Sequence, residues 1–191
     1  MITVRRTALE PAEGGGLEVR LDPMRRRHLR SVLRIESLVY PRPWSLSLFL
    51  SELALRSTRS YTVAKVLGTV VGYSGLMLTS DEGHITTIAV DPAWHRHQIG
   101  TRLMLDMMRV ARGRGAREVT LEVRVSNHPA QAMYRRFGFA PEGIRPNYYV
   151  ETQEDALVMW AHDVWTEGYA ARLEEIESRI VGSTVASERR W

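Results

Sequence analysis

At residue 99 the hydrophobic pattern of this chain changes period. Upstream, three runs rich in Val, Ile, Thr and Tyr follow one another at 61–66, 70–78 and 84–90, joined by tight connections at Gly68 and Asp81-Glu82-Gly83. Such runs read as the strands of an antiparallel meander. Downstream, Ile99, Leu103, Met107, Val110 and Ala111 fall on one face of a helix, which Gly113 and Gly115 end.

The flanking segments extend that pattern. Leu17 to Leu21 alternates apolar and charged residues, as a first strand does. Asp22-Pro23 is expected to cap and open a helix, continued by Leu29, Val32, Leu33 and Glu36 towards Tyr40. Pro41 and Pro43 end it, and a second helix runs from Trp44-Ser45 to about Leu55 with Ser45 as its cap. Val119 to Val125 reads as another strand, and Pro129 begins a short helix carrying Ala130, Met133, Tyr134 and Phe137 that Gly138 stops. Residues 139–163 supply two last strand-like segments around a loop at Arg145–Glu154. Trp165, Tyr169, Leu173, Ile176 and Ile180 then trace an amphipathic helix that packs back on its own domain or meets a partner. The expected organisation is a flexible leader over 1–16, a domain over 17–163, the amphipathic helix over 164–181 and a disordered tail over 182–191.

Composition removes several function classes. There is no cysteine, so disulfides, thiolate metal sites and a cysteine nucleophile are excluded. No apolar run approaches the roughly 18 residues of a membrane span, and Met1 to Gly16 has no secretory apolar core; a cytoplasmic protein is expected. The net charge of +4 and pI near 9.7 suit a polyphosphate cofactor as readily as nucleic acid. The densest basic cluster, Arg25, Arg26, Arg27, His28 and Arg30, reads either as a solvated helix face or as a docking face, and no direct nucleic-acid role is expected. His95 and His97 share no carboxylate in metal-binding spacing, so no metal is expected.

The order strand, two helices, three-strand meander, helix, strand, helix, strand pair carries a family resemblance, and local words reinforce it. These are Ile35-Glu36, Pro43-Trp44-Ser45, Ile88-Ala89-Val90-Asp91-Pro92, Leu121-Glu122-Val123-Arg124, Ser126-Asn127, Met133 to Phe139, and Asn147-Tyr148-Tyr149 followed by Glu154-Asp155-Ala156. Residues 17–163 resemble a GNAT acetyltransferase, and the words resemble the RimI-type ribosomal-protein-alanine N-acetyltransferases. The resemblance implies an α+β GNAT fold with a mixed, mostly antiparallel sheet of about seven strands flanked by helices. It further implies acetyl-coenzyme A as co-substrate and the N-terminal amine of a protein, such as alanine of a small-subunit ribosomal protein, as acceptor. Direct transfer within a ternary complex is the implied route. The alternatives are a GNAT enzyme acting on a small amine and a non-catalytic acyl-coenzyme A-binding module. The oligomeric state, monomer or homodimer, stays open.

Residue types fit that chemistry. Arg96, His97, Gln98, Ile99, Gly100 and Thr101 lie between a strand and a helix, where free backbone N–H groups and a partial positive charge suit a pyrophosphate. The family has a glycine where Gln98 stands, and a side chain there is disfavoured if φ is positive. By resemblance, Glu122 is the general base, Tyr134 the general acid that protonates the leaving thiolate, and backbone groups of Ile88, Ala89 and Val90 cradle the acetyl and pantetheine parts. Asn127 is expected to bind the cofactor and cap its helix, while Trp44, Tyr148 and Tyr149 are expected to line the peptide entrance.

Overall fold

The computed structural model describes residues 16–187. One eight-stranded sheet runs through them: β1 (Glu18–Pro23), β2 (Arg59–Val66), β3 (Thr69–Leu78), β4 (Glu82–Val90), β5 (Glu118–Arg124), β6 (Ala140–Tyr149), β7 (Glu154–Ala161) and β8 (Ser183–Ala186). Their spatial order is β6-β7-β5-β4-β3-β2-β1-β8. Only β4–β5 and β1–β8 pair in parallel; every other neighbouring pair is antiparallel. The helices are α1 (Leu29–Val39), α2 (Leu46–Ala54), α3 (Ile99–Gly113), α4 (His128–Arg136) and α5 (Glu167–Ser178).

Strand alternation divides the core between the two faces. Tyr61, Val63, Tyr73 and Ala89 pack with Val32 and Ile35 of α1 and Phe49 of α2. On the opposite face Ile85, Leu121 and Val123 meet Met104, Met107 and Met108 of α3, Phe137 after α4, and Tyr169, Leu173 and Ile176 of α5. The amphipathic C-terminal helix therefore packs on its own domain, along α3. Trp165 stays half exposed with the Arg117 guanidinium 5.5 Å over its ring.

Three sequence expectations are corrected. Asp22-Pro23 does not open a helix: both residues belong to β1, where Asp22 takes Lys65 Nζ at 2.7 Å and Arg20 Nε at 3.0 Å, and the helical chain starts at a 3-10 turn over Arg26–His28. The sheet has eight strands rather than about seven. The eighth comes from the segment expected to be disordered, since Ser183–Ala186 pairs with Glu18–Leu21. Two glycines make that pairing possible: a Cβ on Gly16 would lie 2.3 Å from Gly182, and one on Gly182 would lie 2.3 Å from the Leu17 carbonyl oxygen. The leader at 1–15 and the last residues, 188–191, lie outside the described residues.

Candidate active site

The site begins where two strands part. β4 and β5 pair from Glu82↔Glu118 to Ile85↔Leu121, and beyond that point no pairing joins them. An extra residue in β4, Thr86, shifts the register against β3 just there. A bulge of this kind bends a strand and re-aims the residues beyond it, so Ile85 and Ile88 face α3 although they are three apart. In a strand the N–H and C=O of one residue point to the same side. The Ile88 carbonyl accepts the Tyr40 hydroxyl at 2.9 Å and the Val90 carbonyl lies 3.1 Å from His95 Nε2, both away from β3. The N–H groups of Ile88 and Val90 therefore face the gap, while Asp91 N–H returns to the Val71 carbonyl of β3 at 2.8 Å. By the same alternation Ala89 directs its backbone groups at β3.

A cleft of about 500 Å³ opens at the gap, between the end of β4, the loop over 94–98, the first turn of α3, and α4. Nine of the ten residues expected to hold the cofactor line it: Ile88, Ala89, Val90, Arg96, Gln98, Ile99, Gly100, Thr101 and Asn127. His97 does not; its ring lies 5.8 Å from that of Trp94, edge to face. Asn127 caps α4 through Oδ1, which accepts the Ala130 N–H at 3.2 Å. No side chain caps the start of α3, so its first N–H groups remain available to an anion. A Cβ on Gly100 would make only ordinary contacts, 3.5 Å to Met133 Sδ and 3.8 Å to Val90 Cγ2. The bare backbone there is not demanded by the protein's own packing and leaves room for a ligand. These features fit the pyrophosphate and pantetheine of a coenzyme A thioester.

Gln98 answers the question posed by the missing glycine. It adopts the left-handed conformation (φ 57°, ψ 18°), and Arg96 also has positive φ at 68°. For a side-chain-bearing residue that conformation costs on the order of 1 kcal/mol. The Gln98 amide offsets it: Oε1 accepts the Val181 N–H at 2.9 Å and Nε2 donates to the Arg179 carbonyl at 3.3 Å. The segment leading into β8 thus holds the loop in a shape that glycine adopts unaided.

The two residues expected to exchange protons stand on opposite faces of the split sheet. Tyr134 of α4 packs on the α3 face against Phe139, with ring centroids 6.1 Å apart, and lines the cleft. Its hydroxyl makes no hydrogen bond among the described residues. Burial, and then the neighbouring Tyr40 and Tyr149 hydroxyls, push its pKa up, so it holds its proton. On β5, Val119, Leu121 and Val123 face α3, so Glu122 faces the other side. There it receives His84 Nε2 at 2.7 Å and Arg145 Nη1 at 3.0 Å, with its side chain only 7% exposed. The His84 hydrogen bond, helped by the charge of Arg145, holds the carboxyl below the usual range despite burial. An ionised Glu122 can only accept, so His84 presents an N–H to it through Nε2.

Sequence reasoning missed His84 and Arg145. His84 pairs directly with Thr120, and Glu122 follows two residues later on the same face; only the parallel register shows this. Arg145 comes from edge strand β6, just before two extra residues break its pairing with β7 between Arg145↔Ala156 and Tyr149↔Glu154. That irregularity carries Asn147 at φ 49°, its N–H bound to Asp155 Oδ1 at 2.8 Å, and Tyr148. Tyr148 is 45% exposed and packs edge-on to Tyr149 at 5.2 Å. Arg124 lies 3.9 Å over the Tyr149 ring and also binds Glu151 and Glu154, fixing the hairpin to β5. Trp44 sits apart: its ring meets Phe49 at 5.3 Å, not the tyrosines. Its backbone N–H donates to Glu36 Oε2 at 3.1 Å, and Glu36, 1% exposed, also accepts the Tyr73 hydroxyl. Burial raises the Glu36 pKa. Among the described residues there is no group of three or more metal-ligating side chains placed to hold an ion.

Comparison with known proteins identifies the family. Residues 29–139 match the model of the acetyltransferase (GNAT) family. The chain is 38% identical over 154 residues to N-alpha-acetyltransferase RimI of Mycobacterium tuberculosis, covering 78% of this chain and 92% of that protein. It is 32% identical over 133 residues to the ribosomal protein bS18-alanine N-acetyltransferase of Escherichia coli K12, covering 69% and 88%. The crystal structure of the ribosomal-protein-S18-alanine N-acetyltransferase from Escherichia coli superposes with a TM-score of 0.70 at 28% identity, over 76% of this chain and 94% of that one. Split strands, an uncapped helix start, and a buried tyrosine and a buried carboxylate on opposite faces are thus found in a chain that belongs to the GNAT acetyltransferase family.

Proposed function

We propose that the chain transfers the acetyl group of acetyl-coenzyme A to the α-amine of a protein N-terminus, with the N-terminal alanine of ribosomal protein bS18 as acceptor. The observation that carries this reading is the gap between β4 and β5, with Tyr134 on one side and the His84–Glu122 pair on the other. The relatives named for bS18 alanine support the acceptor.

The bound thioester supplies an activated acetyl group; the rest is done by this chain. The start of α3 and Arg96 take the pyrophosphate, and the Ile88 and Val90 N–H groups offer donors to the thioester carbonyl as charge develops on it. On the other face, Glu122 orients His84 so that Nδ1 accepts a proton from the attacking amine. With a protein α-amine pKa of about 7.7–8.0, only modest base assistance is needed near neutrality. Arg145 keeps Glu122 ionised throughout. The Tyr134 phenol donates its proton to the departing sulfur. Tyr148 and Tyr149 press on the peptide backbone, while Glu36 fixes the loop that carries Trp44, whose ring packs on Phe49 away from them.

Thiol release from acetyl-coenzyme A, measured with short peptides that differ only in their first residue, tests the acceptor. A preference for the alanine-starting bS18 sequence is expected. Equal turnover on small polyamines and on peptides would refute it.

A further inference from the structure

The family match ends at residue 139, yet the chain continues into α5 and β8, and the segment that joins them binds Gln98 at the coenzyme cleft through Arg179 and Val181. The buried Arg102 of α3 donates to the carbonyls of Val181 at 2.6 Å and Ser183 at 2.8 Å and to the Thr184 hydroxyl. With the Gln98 amide bound to Arg179 and Val181, the last turn of α5 is fixed beside the loop that opens α3. A second groove, of about 460 Å³, lies next to it, lined by Arg136 from the end of α4 and by Arg172, Glu175, Ile176 and Arg179 of α5. Arg136 also lines the coenzyme cleft, so the two spaces share a wall.

The charge of this groove is one-sided. Three arginines face one carboxylate, a net of 3 − 1 = +2, and Glu175 already pairs with Arg179 at 2.5 Å. Among the described residues neither Arg136 nor Arg172 has an ion-pair partner. Residues 172, 175, 176 and 179 fall on one face of the helix by spacing. Arg172 lies over Gly138, where its guanidinium would be 3.3 Å from a Cβ, and the φ of +85° there independently favours glycine. The order of groups along the coenzyme then fixes what arrives. With the thioester at Tyr134 and the pyrophosphate at the start of α3, the adenosine end lies beyond the pyrophosphate, and Arg136, which lines both spaces, leads from the cleft to the groove.

We propose that this groove binds the 3′-phosphate of the coenzyme's adenosine end, with Arg172 and Arg179 of α5 joining Arg136 as its counter-ions. The proposal rests on the coenzyme reading above. A phosphomonoester carries a charge of about −1.5 to −2 at neutral pH and accepts the paired N–H groups of a guanidinium. The C-terminal helix is then part of the coenzyme site rather than only a buttress for α3.

The test compares acetyl-coenzyme A with its 3′-dephospho form by isothermal titration, using the full chain and the double variant Arg172→Ala/Arg179→Ala. The wild type is expected to bind acetyl-coenzyme A about tenfold more tightly than the dephospho form, about 1.4 kcal/mol. The double variant should lose that preference and keep the wild-type affinity for the dephospho form, which also shows that it is folded. Equal wild-type affinities for the two ligands, or a loss in the variant that is the same for both, would overturn the subsite while leaving the coenzyme reading intact. Binding of neither ligand by the wild type would overturn both.

Discussion

Replacing Arg102 with methionine should unfasten the C-terminal strand from the sheet. The side chain is 1% exposed, and its guanidinium supplies donors to three acceptors spread over residues 181–184. Methionine keeps most of the aliphatic packing and removes every donor. An acceptor left unsatisfied in a buried setting costs roughly 1–3 kcal/mol. β8 is an exposed edge strand, so part of that penalty is relieved by water, and a total of about 3 kcal/mol is expected. For a domain of this size that corresponds to a fall in Tm of roughly 6–12 °C. Urea unfolding gives the free energy, and hydrogen exchange gives its location. The amides of β1 that face β8 should lose protection while those of β3 and β5 keep theirs. Arg102→Lys should recover less than half of the loss, because a point charge cannot span acceptors that a planar fork reaches together. A loss under about 1 kcal/mol, or protection lost evenly across the sheet, would refute the reasoning.

Four further outcomes concern the site and its surroundings. Tyr134→Phe should lower kcat by about a hundredfold or more while coenzyme affinity changes less than twofold, since only protonation of the leaving sulfur is lost; binding and turnover assays separate the two. His84→Gln and Glu122→Gln should each slow the reaction, and the double variant should be little slower than the worse single one, because the pair acts as a unit. Glu122 also contributes stability: its folded pKa is depressed by His84 and Arg145, so Glu122→Gln should destabilise at neutral pH and converge with wild type as pH falls below the ordinary carboxylate pKa of about 4.3. His28 is buried, with Nδ1 accepting the Arg25 N–H at 3.1 Å, and burial lowers its pKa to about 4. The unfolded chain then binds the extra proton first, so wild-type stability should decline as pH drops from about 6.5 towards 4, and His28→Gln should flatten that slope in denaturant titrations.

Much of the scaffold is legible from local pattern. The Val- and Thr-rich runs, the helical face from Ile99, the Ser45 cap and the Asn127 cap all stand where spacing and cap chemistry put them. Asp22-Pro23 misled because the same dipeptide suits a helix start and the end of a strand, and a lysine 43 residues away decides between them. β8 was hidden for a similar reason: four ordinary residues after a glycine become a strand only through pairing with residues 18–21 and the grip of Arg102. The nine cleft residues were found through a family word, whereas His84 depends on a parallel register and Arg145 on an irregular hairpin, neither of which has a period to read. The glycine position held by Gln98 was visible as a departure, but its compensation lies more than 80 residues away.

Tandem mass spectrometry of an alanine-starting bS18 peptide, incubated with acetyl-coenzyme A and the full chain, puts the central assignment to the test. One acetyl group on the α-nitrogen is predicted, with none on lysine side chains and none with the Tyr134→Phe variant over the same interval. Acetyl groups on lysine with a free α-amine, or an unmodified peptide under conditions where the protein binds acetyl-coenzyme A, would contradict the assignment of this chain as an N-terminal acetyltransferase.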